Sequence, residues 1–144
     1  MGTWGVASFE NDSAAEWFLG VEEASDPGAL MAQAIDDALS VAEDPSVEAC
    51  CEAIAAAELC ACCAGQWPDR LPDNVRYWAE SHPHGPHGDE VALAVQAVRR
   101  VRDESDLRTF WDQSGDHAQW LLAVDDLGTR LHHSSAGSPP SVSP

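Results

Sequence analysis

Residues 47–65 read VEACCEAIAAAELCACCAG and include the most apolar segment of the chain. From Ala53 to Ala64 the only charged residue is Glu58. At 3.6 residues per turn, apolar side chains fall on nearly every side of a helix with this sequence, and such a helix is buried on nearly every side. We therefore predict an all-α fold, a compact single-domain bundle of six to seven helices around a buried central helix rich in Ala and Cys.

Helix signals recur on both sides of this segment. Asp26 and Asp44 each precede a proline, an arrangement typical of a helix start. Ser13 and Glu16 have the spacing of a capping box, and Gly65 is expected just beyond the end of the central helix. Together with apolar residues at helical spacing, these signals predict helices that begin at residues 11–13 and 116, and helices over residues 27–43, 45–65, 73–81, 89–102 and 105–115.

The domain organisation follows from length and composition. A chain of 144 residues predicts one domain, which we place at residues 1–132. Trp4 and Phe9 lie in a short lead-in before the first helix, and we expect both rings to plug the core. Residues 133–144 are rich in Ser, Pro and Gly, so we predict a disordered tail there.

The chain is strongly acidic. It has 25 Asp and Glu residues against 7 basic residues, all of them Arg, and a formal net charge of −18. This charge argues against direct binding to nucleic acid or to an anionic membrane surface, because both need clusters of Lys and Arg. It permits a basic protein partner with fast, charge-steered association. The alternative is that the charge only keeps the fold soluble.

The start of the chain and its cysteines predict a cytoplasmic location. Residues 1–10 lack the basic start and apolar run of a secretory signal, and we expect no membrane segment. Five cysteines, an odd number, fit free thiols in a reducing compartment better than a disulfide framework. The Lys-free, Ala- and Arg-rich composition is typical of a bacterial coding sequence of high GC content.

The cysteines of the central helix are a first candidate for metal binding. Cys60, Cys62 and Cys63 lie within one turn. Paired zinc thiolates usually sit on a turn, so that both can reach one ion, and a rigid buried helix does not provide that. We therefore interpret these cysteines as small apolar side chains of the core.

A second candidate is the segment between the fourth and fifth predicted helices, which reads HPHGPHGD. His82, His84, His87 and Asp89 lie there within eight residues, and imidazole and carboxylate groups bind zinc or nickel. The prolines and glycines between them indicate a solvated connector as the alternative. We assign no metal and no cofactor.

Glu58 is the most distinctive single residue. A carboxylate in an apolar helix must be paired, hydrogen-bonded or protonated, because an unpaired buried charge is strongly destabilising. Tryptophan N–H groups, the backbone at Trp4 or an arginine such as Arg76 could satisfy it. We favour a buried anchor that fixes the N-terminal lead-in against the core. The alternative is a general acid or base with a raised pKa.

Three stretches of the chain resemble a known family. They are residues 2–5 (GTWG) with residues 9–12 (FEND), residues 55–58 (AAAE), and residues 110–120, which begin with Phe-Trp and end with Trp. Over about residues 1–132 the chain resembles the bacterial domain of unknown function numbered 4259. The resemblance implies a small, acidic, mostly helical stand-alone bacterial domain, and it implies no activity, substrate, cofactor or catalytic residue.

The residues that we single out as structural or as a possible site combine these observations. Asn11 and Asp12 stand at a predicted helix start, where capping explains them without a function. Amides at a helix start also bind anions, but the neighbouring acids repel an anion. Our candidates are therefore Trp4, Asn11, Asp12 and Glu58, and none is assigned as catalytic.

The preferred functional hypothesis is a non-catalytic protein-binding module that presents an acidic helical face to a basic partner, as an immunity-type or regulatory protein does. It depends on the net charge and on the lack of known catalytic motifs. One alternative is a small metal-dependent enzyme that uses Glu58 or the loop from His82 to Asp89. A purely structural accessory domain is another.

Overall fold

A computed structural model describes residues 5–83 and 88–137, and within them the chain forms seven α-helices and no strand. This architecture confirms the predicted all-α bundle. In chain order the helices are α1 (Asp12–Glu23), α2 (Pro27–Ser40), α3 (Val47–Cys63), α4 (Asp73–Glu80), α5 (Gly88–Asp103), α6 (Asp106–Asp112) and α7 (His117–Gly137).

The central helix is α3, as its sequence predicts. Every residue from Ala53 to Cys63 is buried, and the helix packs against all six others. Its most extensive contacts are with α2 and α5, which the small alanine side chains allow to approach closely. Because α3 has no side that faces water over this run, its one charged residue there, Glu58, must find partners inside the protein.

The outer helices each turn one apolar face towards α3. Helix α2 buries Met31, Ala34, Ile35 and Ala38, whereas its Leu30 is 37% exposed. The inward residues include Phe18 and Val21 on α1, Met31 and Ile35 on α2, Val98 and Val101 on α5, and Leu127 and Leu131 on α7.

No described helix combines the length and the apolar character needed to cross a membrane.

Several helix boundaries differ from the prediction. The capping box at Ser13 is wrong, because that residue already lies inside α1. Asp44 does not cap α3, whose first residue follows Ser46. Helix α2 ends at Ser40, earlier than predicted. Helix α7 continues to Gly137, so the part of the predicted tail that the structure describes is helical, while residues 138–144 lie outside the described residues.

Side-chain caps set the starts of four helices by satisfying backbone N–H groups that have no partner within the helix. In each case a side-chain oxygen accepts a hydrogen bond from the N–H three residues further along. The capping residues are Asn11 (2.8 Å), Asp26 (3.2 Å), Ser46 (3.2 Å) and Ser105 (3.0 Å).

Gly65 ends α3, as predicted. Its φ of +86° lies in the left-handed region that favours glycine. The Gly65 N–H donates to the Cys62 carbonyl at 2.9 Å, and the Gln66 N–H donates to the Ala61 carbonyl at 2.9 Å, which together form a Schellman motif. The turn leaves the carbonyl of Gln66 in contact with Arg130 of α7.

Candidate functional site

The Glu58 carboxylate is 2% exposed and is paired with Arg130, whose side chain is 11% exposed. Arg130 Nη2 donates to Glu58 Oε1 at 2.9 Å, and Arg130 Nη1 donates to Glu58 Oε2. A guanidinium that meets a carboxylate through two parallel bonds is held both by charge and by orientation. The pair therefore joins the centre of α3 to α7 in one defined arrangement.

Arg130 has further partners around its guanidinium group. Its Nη1 also donates to the Gln66 carbonyl at 3.1 Å, and its Nε donates to Asp126 Oδ2 at 2.8 Å. Burial by itself lowers the pKa of Arg130, but the hydrogen bonds and charges of Glu58 and Asp126 outweigh it and raise that pKa above its ordinary value. Arg130 therefore stays charged, and Glu58 keeps a cationic partner.

Glu58 accepts two more hydrogen bonds. Ser8 Oγ donates to Glu58 Oε1 at 3.0 Å, and Cys62 Sγ donates to Glu58 Oε2 at 3.6 Å. Because Ser8 lies in the lead-in before α1, Glu58 ties that segment to the core, and this geometry supports the anchor interpretation. The arginine that pairs with Glu58 is Arg130 rather than the suggested Arg76, which lies over the Trp67 ring at 4.7 Å from the centroid.

The N-terminal lead-in is held by contacts of its own. A methyl group at Gly5 would lie 2.2 Å from Glu10 Oε1 and would displace that carboxylate. Glu10 Oε1 accepts a hydrogen bond from Arg70 Nη2 at 2.7 Å. Phe9 is buried and meets the Phe18 ring edge-on, with the ring centroids 5.8 Å apart. Glycine, glutamate and phenylalanine in this segment thus each have a packing reason.

The other singled-out residues of the lead-in have different placements. Asn11 is 8% exposed, and its Oδ1 accepts a hydrogen bond from the Ala14 N–H at 2.8 Å, so it serves as the cap of α1. Asp12 is exposed in the first turn of that helix, where a negative charge is favourable. Trp4 lies outside the described residues.

The histidine segment is described only in part. The His82 ring stacks on the Trp78 ring with centroids 4.1 Å apart and planes at 19°, and His82 Nδ1 lies 2.7 Å from the Trp78 carbonyl oxygen. Asp89 is exposed in the first turn of α5, and His84 and His87 lie outside the described residues. Within residues 5–83 and 88–137, no group of three or more His, Cys, Asp or Glu side chains is placed to hold a metal ion.

All five cysteines are buried and free. Burial raises the pKa of Cys62, and the neighbouring negative charge of Glu58 raises it further. A reactive cysteine needs a lowered pKa and access to solvent, so burial and a raised pKa both slow reaction at these thiols, in agreement with a packing role. Burial likewise raises the pKa of Cys50 and Cys63 to about 11 and that of Cys51 and Cys60 to about 12.

The arrangement around Glu58 has the chemistry of an anchor. General acid–base catalysis needs a carboxyl group within hydrogen-bonding reach of a substrate. Both oxygens of Glu58 are instead occupied by Arg130, Ser8 and Cys62, and the side chain is sealed from solvent. What the site supplies is a fixed connection between α3, α7 and the N-terminal segment.

Sequence reasoning missed Arg130, although a signal for it was present. Val124, Leu127 and Leu131 form the inward face of α7, and Arg130 follows Leu127 by three residues, which places it on that same face. A charged residue within an apolar face requires a buried partner of opposite charge. The sequence therefore indicated that Arg130 needs a buried acidic partner, but it did not indicate which helix supplies that partner.

The lead-in and the α3 segment that meet at Glu58 both lie within the part of the chain that matches a family model. The model described as "Domain of unknown function (DUF4259)" matches residues 2–123. The chain belongs to the DUF4259 family. This assignment confirms the predicted membership, and the matched range includes Ser8 and Glu58 but ends before Arg130. Comparisons of this DUF4259 chain with curated proteins and with solved structures found no match.

Proposed function

We propose that this DUF4259 domain is a non-catalytic module, immunity-like or regulatory, that binds a basic protein partner in the bacterial cytoplasm. The observation that carries the proposal is the distribution of charge. All 25 acidic residues lie in the part of the chain that the structure describes, and Glu58 alone among them is buried, so nearly all of the negative charge faces solvent. A surface of this kind attracts a positively charged partner over distances of about 10 Å at an ionic strength of about 0.1 M.

The arginines also favour a positively charged partner. Arg100 donates to the backbone carbonyls of Leu39 and Glu43, both at 2.9 Å. An external anion would have to compete with such internal partners, so the surface favours cations over anions. Ion pairs with acidic side chains of this chain are formed by Arg70, Arg102, Arg108 and Arg130.

Three acidic side chains of α2 and α3 interact electrostatically with one another. We call Asp37, Glu48 and Glu52 the α2–α3 acidic patch. Burial raises the pKa of Glu52, and the charges of Asp37 and Glu48 raise it further. Because Glu48 and Glu52 are one helical turn apart, their repulsion destabilises the free protein. A basic partner that docks here would relieve this repulsion, which makes the patch the preferred contact surface.

The alternative of a metal-dependent enzyme receives no specific support from the described residues. Glu58 is buried and paired with Arg130, which keeps it away from a substrate. The loop candidates His84 and His87 lie outside the described residues. Protein binding is therefore the function that the described geometry favours.

The proposal is tested by affinity capture from a lysate of the source organism. A triple variant, Asp37→Asn with Glu48→Gln and Glu52→Gln, removes the α2–α3 acidic patch while keeping the side-chain shapes. We expect a basic protein that the unchanged domain retains at about 0.1 M salt and releases at about 1 M salt, where the screening length falls to about 3 Å. The triple variant should retain at least tenfold less of it.

A matched control removes the same charge elsewhere. Glu22, Glu23 and Glu80 are exposed near the ends of α1 and α4, and their replacement by Gln changes the net charge equally. This control should retain the partner nearly as well as the unchanged domain. If both triple variants retain equally less of the partner, binding depends on overall charge and not on the patch. If the unchanged domain captures no basic protein that high salt releases, the proposal is refuted.

A further inference from the structure

A cavity of about 280 Å³ opens beside the central helix, with lining residues on α2, α3, α4 and α5. Of the described residues that line it, four are buried, and all four lie on α2 and α3. Their side chains are hydrocarbon or contain sulfur, so the buried part of the wall is apolar. These four residues are Met31, Ile35, Cys60 and Cys63.

The buried wall has little to bind a polar group. Burial raises the pKa of Cys60 to about 12 and that of Cys63 to about 11, so both thiols are uncharged near neutral pH. An uncharged thiol is a weak donor and a weak acceptor, and the thioether of Met31 is a weak acceptor. A polar group placed here would lose its hydrogen bonds to water without gaining equal ones. The wall therefore selects an apolar molecule.

Sulfur and an indole ring favour a flat aromatic molecule over a saturated one. Three of the four buried wall residues contain sulfur, which makes favourable contacts with aromatic rings. Trp78 also lines the cavity. Its ring meets the Phe18 ring edge-on, with centroids 6.0 Å apart, and stacks on the His82 ring at 4.1 Å. These contacts hold the Trp78 ring in place, as in a preformed ligand site.

The volume of the cavity indicates the size of its ligand. An apolar cavity of about 150 Å³ binds benzene, and this cavity has nearly twice that volume. Two fused rings therefore match it better than one ring. Ala32, Asp36 and Leu93 also line the cavity and are exposed, so it opens to the surface along α2 and α5.

We propose that this cavity binds an uncharged bicyclic aromatic molecule about the size of indole. The rings of the ligand lie against Met31, Cys60 and Cys63, with Trp78 beside them. Such a site is separate from the proposed protein contact, because no residue of the α2–α3 acidic patch lines the cavity.

Calorimetric titration of the full chain with indole tests the proposal. We expect saturable binding of one molecule per chain. Purine has the same fused-ring shape but carries ring nitrogens that need hydrogen bonds, so it should bind at least tenfold more weakly. Cyclooctanol has as many non-hydrogen atoms as indole but is puckered and not aromatic, and it should bind at least threefold more weakly. The first comparison tests the apolar preference, and the second tests the aromatic preference.

Two substitutions on one helix locate the site. Ala32→Phe places a ring at an exposed lining position and should weaken binding of indole at least tenfold. Ala29→Phe is the matched control, because Ala29 is also exposed on α2 but does not line the cavity. This control should bind indole as the unchanged protein does. Circular dichroism of each variant shows whether the fold is retained.

The methyl group of Met31 gives a second measurement that needs no change to the cavity. The chain contains two methionines, Met1 and Met31, so labelling the methionine methyl groups with carbon-13 gives two NMR signals. Met31→Leu, which conserves volume, identifies the Met31 signal by its loss. Indole should move the Met31 signal through the ring current of the bound ligand, and purine at the same concentration should move it much less.

Four results would overturn the proposal. The first is no saturable binding of indole below about 1 mM, a weak limit on the affinity scale. The second is binding of purine or cyclooctanol as tight as that of indole. The third is an equal effect of Ala32→Phe and Ala29→Phe in folded protein. The fourth is a Met31 methyl signal that stays unchanged at saturating indole.

Discussion

Replacing Arg130 by methionine should be among the most destabilising single substitutions of a charged residue in this protein. Methionine keeps much of the apolar volume but removes the cation. Glu58, which is 2% exposed, would then keep only the Ser8 hydroxyl and the Cys62 thiol as hydrogen-bond donors. Removing one partner of a buried ion pair costs about 3–5 kcal/mol. A domain of this size has a free energy of unfolding of about 5–15 kcal/mol.

The assay is urea unfolding followed by circular dichroism, with linear extrapolation to water. We expect Arg130→Met to lose about 3–5 kcal/mol in free energy of unfolding, and its melting temperature to fall by about 6–20 °C. Arg102→Met is a matched control, because Arg102 also bonds to a carboxylate on α7, that of Asp125, but its side chain is 36% exposed. An exposed pair contributes about 0–1 kcal/mol, so the control should lose no more than that.

A double variant separates loss of the ion pair from loss of packing. Glu58→Leu combined with Arg130→Met removes both charges, and a buried ion pair replaced by apolar side chains is often neutral or stabilising. We therefore expect the double variant to be more stable than Arg130→Met alone. If Arg130→Met proves no worse than Arg102→Met, or if the double variant is the less stable one, the reasoning about the buried pair is refuted.

Three further predictions concern single groups. Ser105→Ala should cost about 1–2 kcal/mol in urea unfolding, because the buried Ser105 hydroxyl donates to the Val101 carbonyl at 2.6 Å and caps α6. Ser46→Ala removes an exposed cap and should cost about 0.5–1 kcal/mol. Equal losses in the two variants would contradict this prediction. The pKa of Glu52 is raised on folding, so the contribution of this residue to the free energy of unfolding falls as pH rises through that pKa. Glu52→Gln should therefore stabilise the protein by about 0.2–0.5 kcal/mol at pH 7, and this gain should shrink towards pH 4. With a disulfide reagent at pH 8, the native thiols should react at least tenfold more slowly than in urea, with Cys63, 6% exposed, reacting first; fast reaction of all five would show that the core is not closed.

Helix positions were largely predictable because their signals are local. Asp26 before a proline and Gly65 after the last apolar turn act within a few residues, and the structure has a cap and a Schellman motif at those places. Competition between neighbouring caps was not predictable: Ser46 caps α3, although Asp44 is an equally good capping residue by type. Such a choice depends on how the preceding chain enters the bundle.

The partner of Glu58 could be deduced only with knowledge of how two helices face each other. Glu58 and Arg130 are 72 residues apart in the chain. The sequence does contain the clue that an arginine interrupts the apolar face of α7, but Arg76 and other arginines compete with it when no packing is known. The cavity beside α3 is still less predictable. Its walls come from several helices, and no pattern in the sequence indicates a space between them.

The chain's own pattern of apolar residues, caps and breakers was sufficient for the number of helices and for the burial of α3, since periodicity and capping act within a few turns. The pairing of Glu58 with Arg130 and the cavity lined by Asp36 and Trp78 were settled by packing. Both depend on the relative rotation and spacing of helices that are distant in the chain, and many long-range contacts together set that geometry.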